Sequence, residues 1–535
     1  VTPLDQCRAL LGDAITALRA AVPHDRTGAI LALLRAVDAL AFAADPPRTA
    51  PPGWNLALRL CLESDEGAGP ALAEPARWAD RFLAECGQLA RAELILARCA
   101  TGTLQLQQRG PGDYVAWPTT RRVPAEQRER ADLAWRSSHL AQQTAHQRAA
   151  LAAERPRFAT YLAQHPTEDL WGHVAINPAV AHFYQRLGQA DLAPLACGHS
   201  YPPDAAIAGA TFARYADILA LLAGWLHLER DRQPATGTIA PAPQRESDLV
   251  AILAAVLDDA PATIAQTLRH LTLDRENAAY HGGALGQAAP PLVRLDDQHL
   301  AWSALGLLGD PYIFLAHELR RRHAQEYHNS AHLREQTFRR DLYGLFGDKR
   351  FVRSPGRVEL KRNNAARTDL DALIFDRKTG ALGIFELKSQ DPFARSVEER
   401  QRQRDHFFHA NRQISAALEW VQRHGPDDLL ARFAERAARQ FRVQKVHAFV
   451  LGRYLAHFDD GPEPDRRAAW GTWSQILQLT GGEPFGPNDR NPLATLHTRL
   501  RDTTPAPAPP TTETITTSAI RLHIYPTFAA FKSDV

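Results

Sequence analysis

Up to about His323, apolar residues recur mostly at three- and four-residue spacing, the period of a helix with one buried face. Leu10 to Ala21 and Ala29 to Phe42 show it first, and a Pro-rich break follows from Asp45 to Gly53. A second helical block runs from about Trp54 to Arg232 and includes a helix around Arg77 to Cys99. Within it, Thr103 to Trp117 alternates about Gly110-Pro111-Gly112, which predicts a β-hairpin. A hairpin after helices fits either a winged DNA-binding unit or plain structure, and the second is the preferred expectation. Pro234 to Glu246 reads as a linker, and Ser247 to His323 as a third helical block interrupted by the turn-rich Gly282 to Pro291.

The texture then changes. Asn329 to Phe346 predicts a helix with Leu333, Phe338, Leu342 and Leu345 on its apolar side. Arg350 to Leu360 reads as a short hairpin about Ser354-Pro355-Gly356. Leu370 to Phe375 and Leu382 to Lys388 are apolar on both faces, as strands of a covered sheet are. Ser396 to Arg423 predicts a long helix with Phe407, Ile414, Leu418 and Val421 on one side, and Val443 to Leu451 a further strand. That order implies a mixed sheet with helices on both faces. The tail keeps a helical pattern to about Leu500. Thr503 to Thr517 is a Pro/Thr-rich extended segment, and Ala519 to Phe531 alternates like a strand that docks back. The expected divisions are helices over 1–44, a helical domain over 54–232 with its hairpin near 103–117, a helical domain over 247–328, a mixed domain over 329–455 and a tail over 456–535.

Composition narrows the class. No stretch is long and apolar enough for a membrane span, and no basic segment followed by an apolar core marks secretion, so a cytoplasmic protein is expected. The five cysteines (Cys7, Cys61, Cys86, Cys99, Cys197) lack C-x-x-C spacing and read as free thiols. The net charge of +2 hides a basic excess between Arg321 and Asp460. That excess fits a polyanionic partner as well as it fits solvated arginine-rich helices.

Candidate chemistry concentrates in two strands. Asp369 and Asp371 precede Glu386-Leu387-Lys388. Side chains alternate along a strand, so Glu386 and Lys388 share one face while Phe385 and Leu387 share the other. A charge at the end of an apolar strand needs a partner or a metal, because burying it alone is costly. Hard oxygen ligands suit Mg²⁺, which needs only one or two carboxylates beside a substrate phosphate.

This order of elements, with Asp371, Glu386 and Lys388 where they stand, resembles the PD-(D/E)xK nuclease superfamily over about residues 329–452. The resemblance implies a restriction-endonuclease-like α-β-β-β-α-β core behind a large, mostly α-helical region. It implies that Asp371, Glu386 and the backbone carbonyl of Leu387 bind Mg²⁺, with Mn²⁺ able to substitute. Lys388 would be the catalytic base or an electrostatic stabiliser. Glu335 on the first helix and Gln413 on the helix after E-x-K match further positions used in the family. The Pro-Asp dipeptide that names the family is absent, since Leu370 precedes Asp371. Asp369 shares the face of Asp371; either could be the ligand, and Asp371 is preferred. The implied activity is phosphodiester hydrolysis, on DNA ahead of RNA, and by analogy defence of a bacterium against foreign DNA. The rival expectation is a nuclease fold without activity that binds nucleic acid or acts as a scaffold, and the helical region offers a surface for a protein partner.

Arg353, Lys361, Arg362, Arg367 and Arg395 stand near this segment as candidate phosphate contacts. His328 with His332, and His406 with His409, have spacings that a metal could use, but no third ligand accompanies them, and surface pairs are expected. A phosphate-binding G-x-x-x-x-G-K-[ST] loop, a G-x-S-x-G elbow and a dinucleotide fingerprint are all missing.

Overall fold

Two apolar bodies account for the elements expected above. The computed structural model describes residues 2–530 except 43–49, 66–68, 120–124, 166–176, 199–200, 233–242, 284–287, 363–364, 391–393, 395, 457–463, 503–511 and 527–529. Most of the expected linker, part of both Pro-rich segments, part of the Gly282–Pro291 turn region and Arg395 therefore lie outside the described residues.

The first body is helical. Most of its buried side chains form one contiguous cluster from Cys7 through Trp54, Leu222 and Phe314 to Tyr327, with a smaller one about Phe183, Tyr184 and Leu228. The helices Pro178–Gly198 and Phe212–Arg232 approach so closely that only glycine fits at the crossing. A Cβ at Gly188 would meet the carbonyl oxygen of Ala220 at 2.1 Å, and one at Gly224 that of Tyr184 at 2.4 Å. The hairpin near 103–117 is present, pairing Leu104–Gly110 with Asp113–Pro118, and Gly112 supplies the positive φ of its turn. The terminal strand expected to dock back supplies its partner, though the sequence did not say where it would dock. Strands Glu513–Thr516 and Arg521–Ile524, from the far end of the chain, complete a four-stranded sheet against it.

The helical expectation over Ser247 to His323 needs correction. Gln244–Arg245, Thr272–Leu273, Leu292–Arg294 and His299–Trp302 form a second small sheet. Segments of two to four residues are too short to display a period of two.

The second body is a sheet covered on both faces. We label its elements α1 (Ala331–Leu345), β1 (Phe351–Arg353), β2 (Val358–Arg362), β3 (Ala365–Leu370), β4 (Ala372–Asp376), β5 (Ala381–Lys388), α2 (Val397–His424), α3 (Pro426–Ala438), β6 (Lys445–Gly452), β7 (Ala468–Thr472), α4 (Trp473–Thr480) and α5 (Pro492–Asp502). The sheet order is β7-β6-β5-β4-β1, antiparallel on the β1 side of β5 and parallel on the β7 side. Alternation sorts the strand residues. Leu373, Phe375, Leu382 and Ile384 pack under α2 and α3, with Phe407, Ile414 and Trp420. Ala372, Ile374, Phe385 and Leu387 pack under α1, α4 and α5, with Phe338, Leu342 and Leu496. Ser396 caps α2 by accepting from the Glu399 amide, and Glu398 and Glu399 complement the helix N-terminus.

Two expectations in this body fail. The segments flanking Ser354-Pro355-Gly356 do not pair with each other: β1 pairs with β4, and β2 pairs with β3. The Ser354–Arg357 stretch is instead a bend within one arm of a long hairpin, matched by a break at Asp371 in the other arm. The helical reading of the tail also misses β7, whose Ala-Ala-Trp-Gly-Thr sequence is held extended by parallel pairing to β6.

Candidate metal centre

The break at Asp371 shapes the site. β4 and β5 run together only as far as the pair Ala372 and Phe385; beyond it the chain of β3 leaves to pair with β2. The last residues of β5 thus lose their neighbour on that side. Asp371 caps the gap, its Oδ2 accepting the Leu387 N–H at 2.8 Å. In extended backbone a residue's N–H and C=O face the same side, so the Leu387 carbonyl belongs to this edge too.

Glu386 lies under α2 and is only 1% exposed. Lys388 Nζ donates to its Oε1 at 2.5 Å, while its Oε2 is buried with no hydrogen-bond partner. Burial pushes the Glu386 carboxyl up to about 8, and the charge of Asp371 adds to this, with a smaller push from Asp369; Lys388 acts the other way. A buried carboxylate with an idle oxygen, beside a second buried carboxylate, is a place that lacks positive charge.

The other expected residues converge here. From α2, Gln413 accepts from Lys388 Nζ at 3.3 Å and donates to Asp369 Oδ1 at 3.0 Å. From α1, Glu335 reaches the same cluster through Arg357, whose Nη2 donates to Glu335 Oε2 at 2.8 Å. Arg357 also donates from Nε to Asp371 Oδ1 at 3.0 Å and stands 3.5 Å from Asp369 Oδ2. The position of α1 is held by a buried arginine: Arg453 Nη1 donates to Asp341 at 2.7 Å and its guanidinium faces Phe338 and Trp473. Asp371 is buried at 4% exposure while the Asp369 side chain is a third exposed, so the two candidate ligands differ in setting. Among the described residues, no three carboxylate, imidazole or thiol groups stand ready around one point to take a metal. A guanidinium stands among the carboxylates instead.

The unoccupied Glu386 Oε2 and the raised Glu386 carboxyl fit a cation better than they fit a simple ion pair with Lys388. The pair with Lys388 engages one oxygen and does not offset the cost of burial, so the other oxygen remains open to further positive charge.

A cavity of about 690 Å³ opens on the site. Glu335, Leu387 and Lys388 line it on one side, with Arg402 and His406 from α2, and the helical body supplies Tyr280, Arg320, Arg321 and His328. The two bodies are tied beside it by the Arg320–Glu399 ion pair and by Leu94 and Ala97 packing on Ala394 and Val397. Several of these cations already have partners, Arg321 with Glu318 and Glu276 among them.

The remaining sequence candidates are scattered. Arg353 donates to the Tyr343 carbonyl, and Lys361 pairs with Glu359; both lie outside the cluster. Arg362 and Arg367 lie on β2 and β3, and their side chains lie outside the described residues. His332 contacts the Asn329 carbonyl, and His409 lies beside Arg412. His328 and His406 each reach the cavity without their sequence partners. Cys7, Cys61, Cys86 and Cys99 are free thiols. No helix among the described residues is long and apolar enough to cross a membrane.

Arg357 is the residue that sequence reasoning missed. It follows a Pro-Gly turn like any surface arginine, and only the pairing of β2 with β3 brings it to Asp371. The wall contributed by the helical body had no sequence signal either.

Comparison with protein-family models, with curated proteins and with solved structures yields no match to this chain.

Proposed function

We propose that the chain is a metal-dependent nuclease of the PD-(D/E)xK type, hydrolysing phosphodiester bonds in nucleic acid, DNA ahead of RNA. The observation that carries this reading is the Glu386 carboxyl, buried beside Asp371 and Lys388 with Oε2 unpartnered. Asp371, Glu386 and the Leu387 carbonyl would hold Mg²⁺ or Mn²⁺. Bound there, the cation would supply charge for the phosphate oxygens and a water of lowered pKa.

The chain's own groups do the rest. Lys388 donates to Glu386 and Gln413 from the floor of the cavity, so it can turn a proton toward a phosphate oxygen that enters. Gln413 holds Lys388 and Asp369 in one network, which restricts the lysine to the site. Arg402, His406 and His328 line the same opening and favour a polyanion. Water would attack phosphorus in line with the leaving oxygen; as the new phosphorus–oxygen bond forms the old one breaks, water gives up a proton to solvent, and the leaving oxygen takes one up to become a hydroxyl.

The rival reading, a nucleic-acid-binding scaffold without activity, draws support from the guanidinium among the carboxylates. Supercoiled plasmid, single-stranded DNA and RNA incubated with Mg²⁺ or Mn²⁺ separate the two. Cleavage that EDTA stops, and that Asp371→Ala and Glu386→Ala each lower at least 100-fold, supports the nuclease. Binding that weakens with salt, with no cleavage of any substrate, supports the scaffold.

A further inference from the structure

Arg357 stands at the entrance to β2, and its guanidinium meets carboxylates from three places in the fold. It reaches Glu335 of α1 at 2.8 Å, the Asp371 bend at 3.0 Å and Asp369 of β3 at 3.5 Å. Glu386 also acts on it electrostatically. Three carboxylates thus meet at one position, and the charge at that position belongs to the protein itself. Without Arg357 the cluster would hold mutually repelling carboxylates, a costly arrangement near a buried one.

Three features make this cation removable. Its side chain is 47% exposed, so one flank is in water. Its contacts to Glu335 and Asp369 join partly exposed groups and contribute little each, about 0–1 kcal/mol, so the bond to buried Asp371 is the main tie. The side chain is long and starts beside a turn, so it can swing outward without disturbing the sheet core. A divalent cation brings twice the charge to the oxygens that Arg357 holds.

We propose that Arg357 is the resident counter-ion of the carboxylate cluster, which it occupies in the metal-free protein and yields to a divalent cation. Arg357 and the metal therefore compete for Asp371. The inference rests on the metal-site reading above. The exchange gives the site a safeguard. Scarce metal leaves the carboxylates neutralised, and a phosphate that draws Arg357 away raises affinity for the metal by the same factor, because linkage is reciprocal.

The test is calorimetric titration of Mn²⁺ into the full chain, with no nucleic acid present. Arg357→Gln should bind Mn²⁺ at least tenfold more tightly than the wild type. Arg357→Lys, which keeps the charge, should stay within about threefold of wild type. In EDTA, Arg357→Gln should melt below the wild type, and Mn²⁺ should restore more of its stability. If Arg357→Gln binds Mn²⁺ no more tightly while Asp371→Ala abolishes binding, the counter-ion role is wrong and the metal site stands. If neither the wild type nor Arg357→Gln binds Mn²⁺ at millimolar concentration, both readings fall together.

Discussion

Glu386→Gln should make the metal-free protein more stable, and the gain should grow with pH. The wild-type carboxyl is buried and pushed up to about 8, from an ordinary value of 4.5. Because the folded value is the higher one, the native state binds more protons than the unfolded chain between these limits. Stability therefore falls as pH rises from 4.5 toward 8. At pH 7 the unfolded carboxyl is ionised and the native one is protonated, a cost of about 3 kcal/mol at 1.36 kcal/mol per unit. Glutamine keeps the shape, leaves an oxygen for Lys388 and cannot ionise, so it escapes that cost. The assay is thermal melting in EDTA at pH 5, 6, 7 and 8. The variant's advantage should be small at pH 5 and reach about 3 kcal/mol near pH 7; under the nuclease reading proposed above, cleavage should also be lost. An advantage independent of pH, or a variant less stable throughout, would refute the claim that Glu386 sits where positive charge is lacking.

Other residues give separable outcomes. If the nuclease reading holds, Lys388→Ala should lower cleavage about 100-fold, the scale of losing one donor to developing charge, while Mn²⁺ affinity by calorimetry should not fall, because the variant removes a cation from Glu386. Glu318 is fully buried and holds Arg321, Arg322 and His281, so Glu318→Ala should cost about 3–5 kcal/mol in denaturant unfolding by leaving those partners unpaired. His270 is buried against Tyr215 and His323, and burial, with the charge of His323, brings its imidazole down to about 4. Its folded value is the lower one, so the stability it contributes is present above pH 6.5 and lost as pH falls toward 4; His270→Gln should flatten that part of the melting profile.

The candidate site was legible to different depths. Alternation alone put Glu386 and Lys388 on one face of β5, and helical spacing placed Glu335 on α1 and Gln413 on α2 within a few residues of the observed limits. Those inferences use contacts between near neighbours in sequence, where backbone geometry leaves few choices. The turn at Ser354-Pro355-Gly356 misled because Pro-Gly marks a change of direction without saying which strands pair. Here it serves as a bend facing the Asp371 break, inside a hairpin that closes further on.

What the sequence determined by itself was local: the periods of the helices, the apolar strands, the hairpin near 103–117 and the acidic pair with its Glu-Leu-Lys. Tertiary structure decided everything that depends on which distant segments meet. It put the C-terminal strands against the hairpin at 104–118, set Arg357 among the carboxylates and closed a cavity between Lys388 and the helical body. It also separated Asp371, buried and accepting from Leu387, from the more exposed Asp369. The physical reason is that burial and electrostatic field are properties of a place. A carboxylate two residues from another has the same intrinsic chemistry, and becomes a different group only once packing has removed its water and chosen its neighbours.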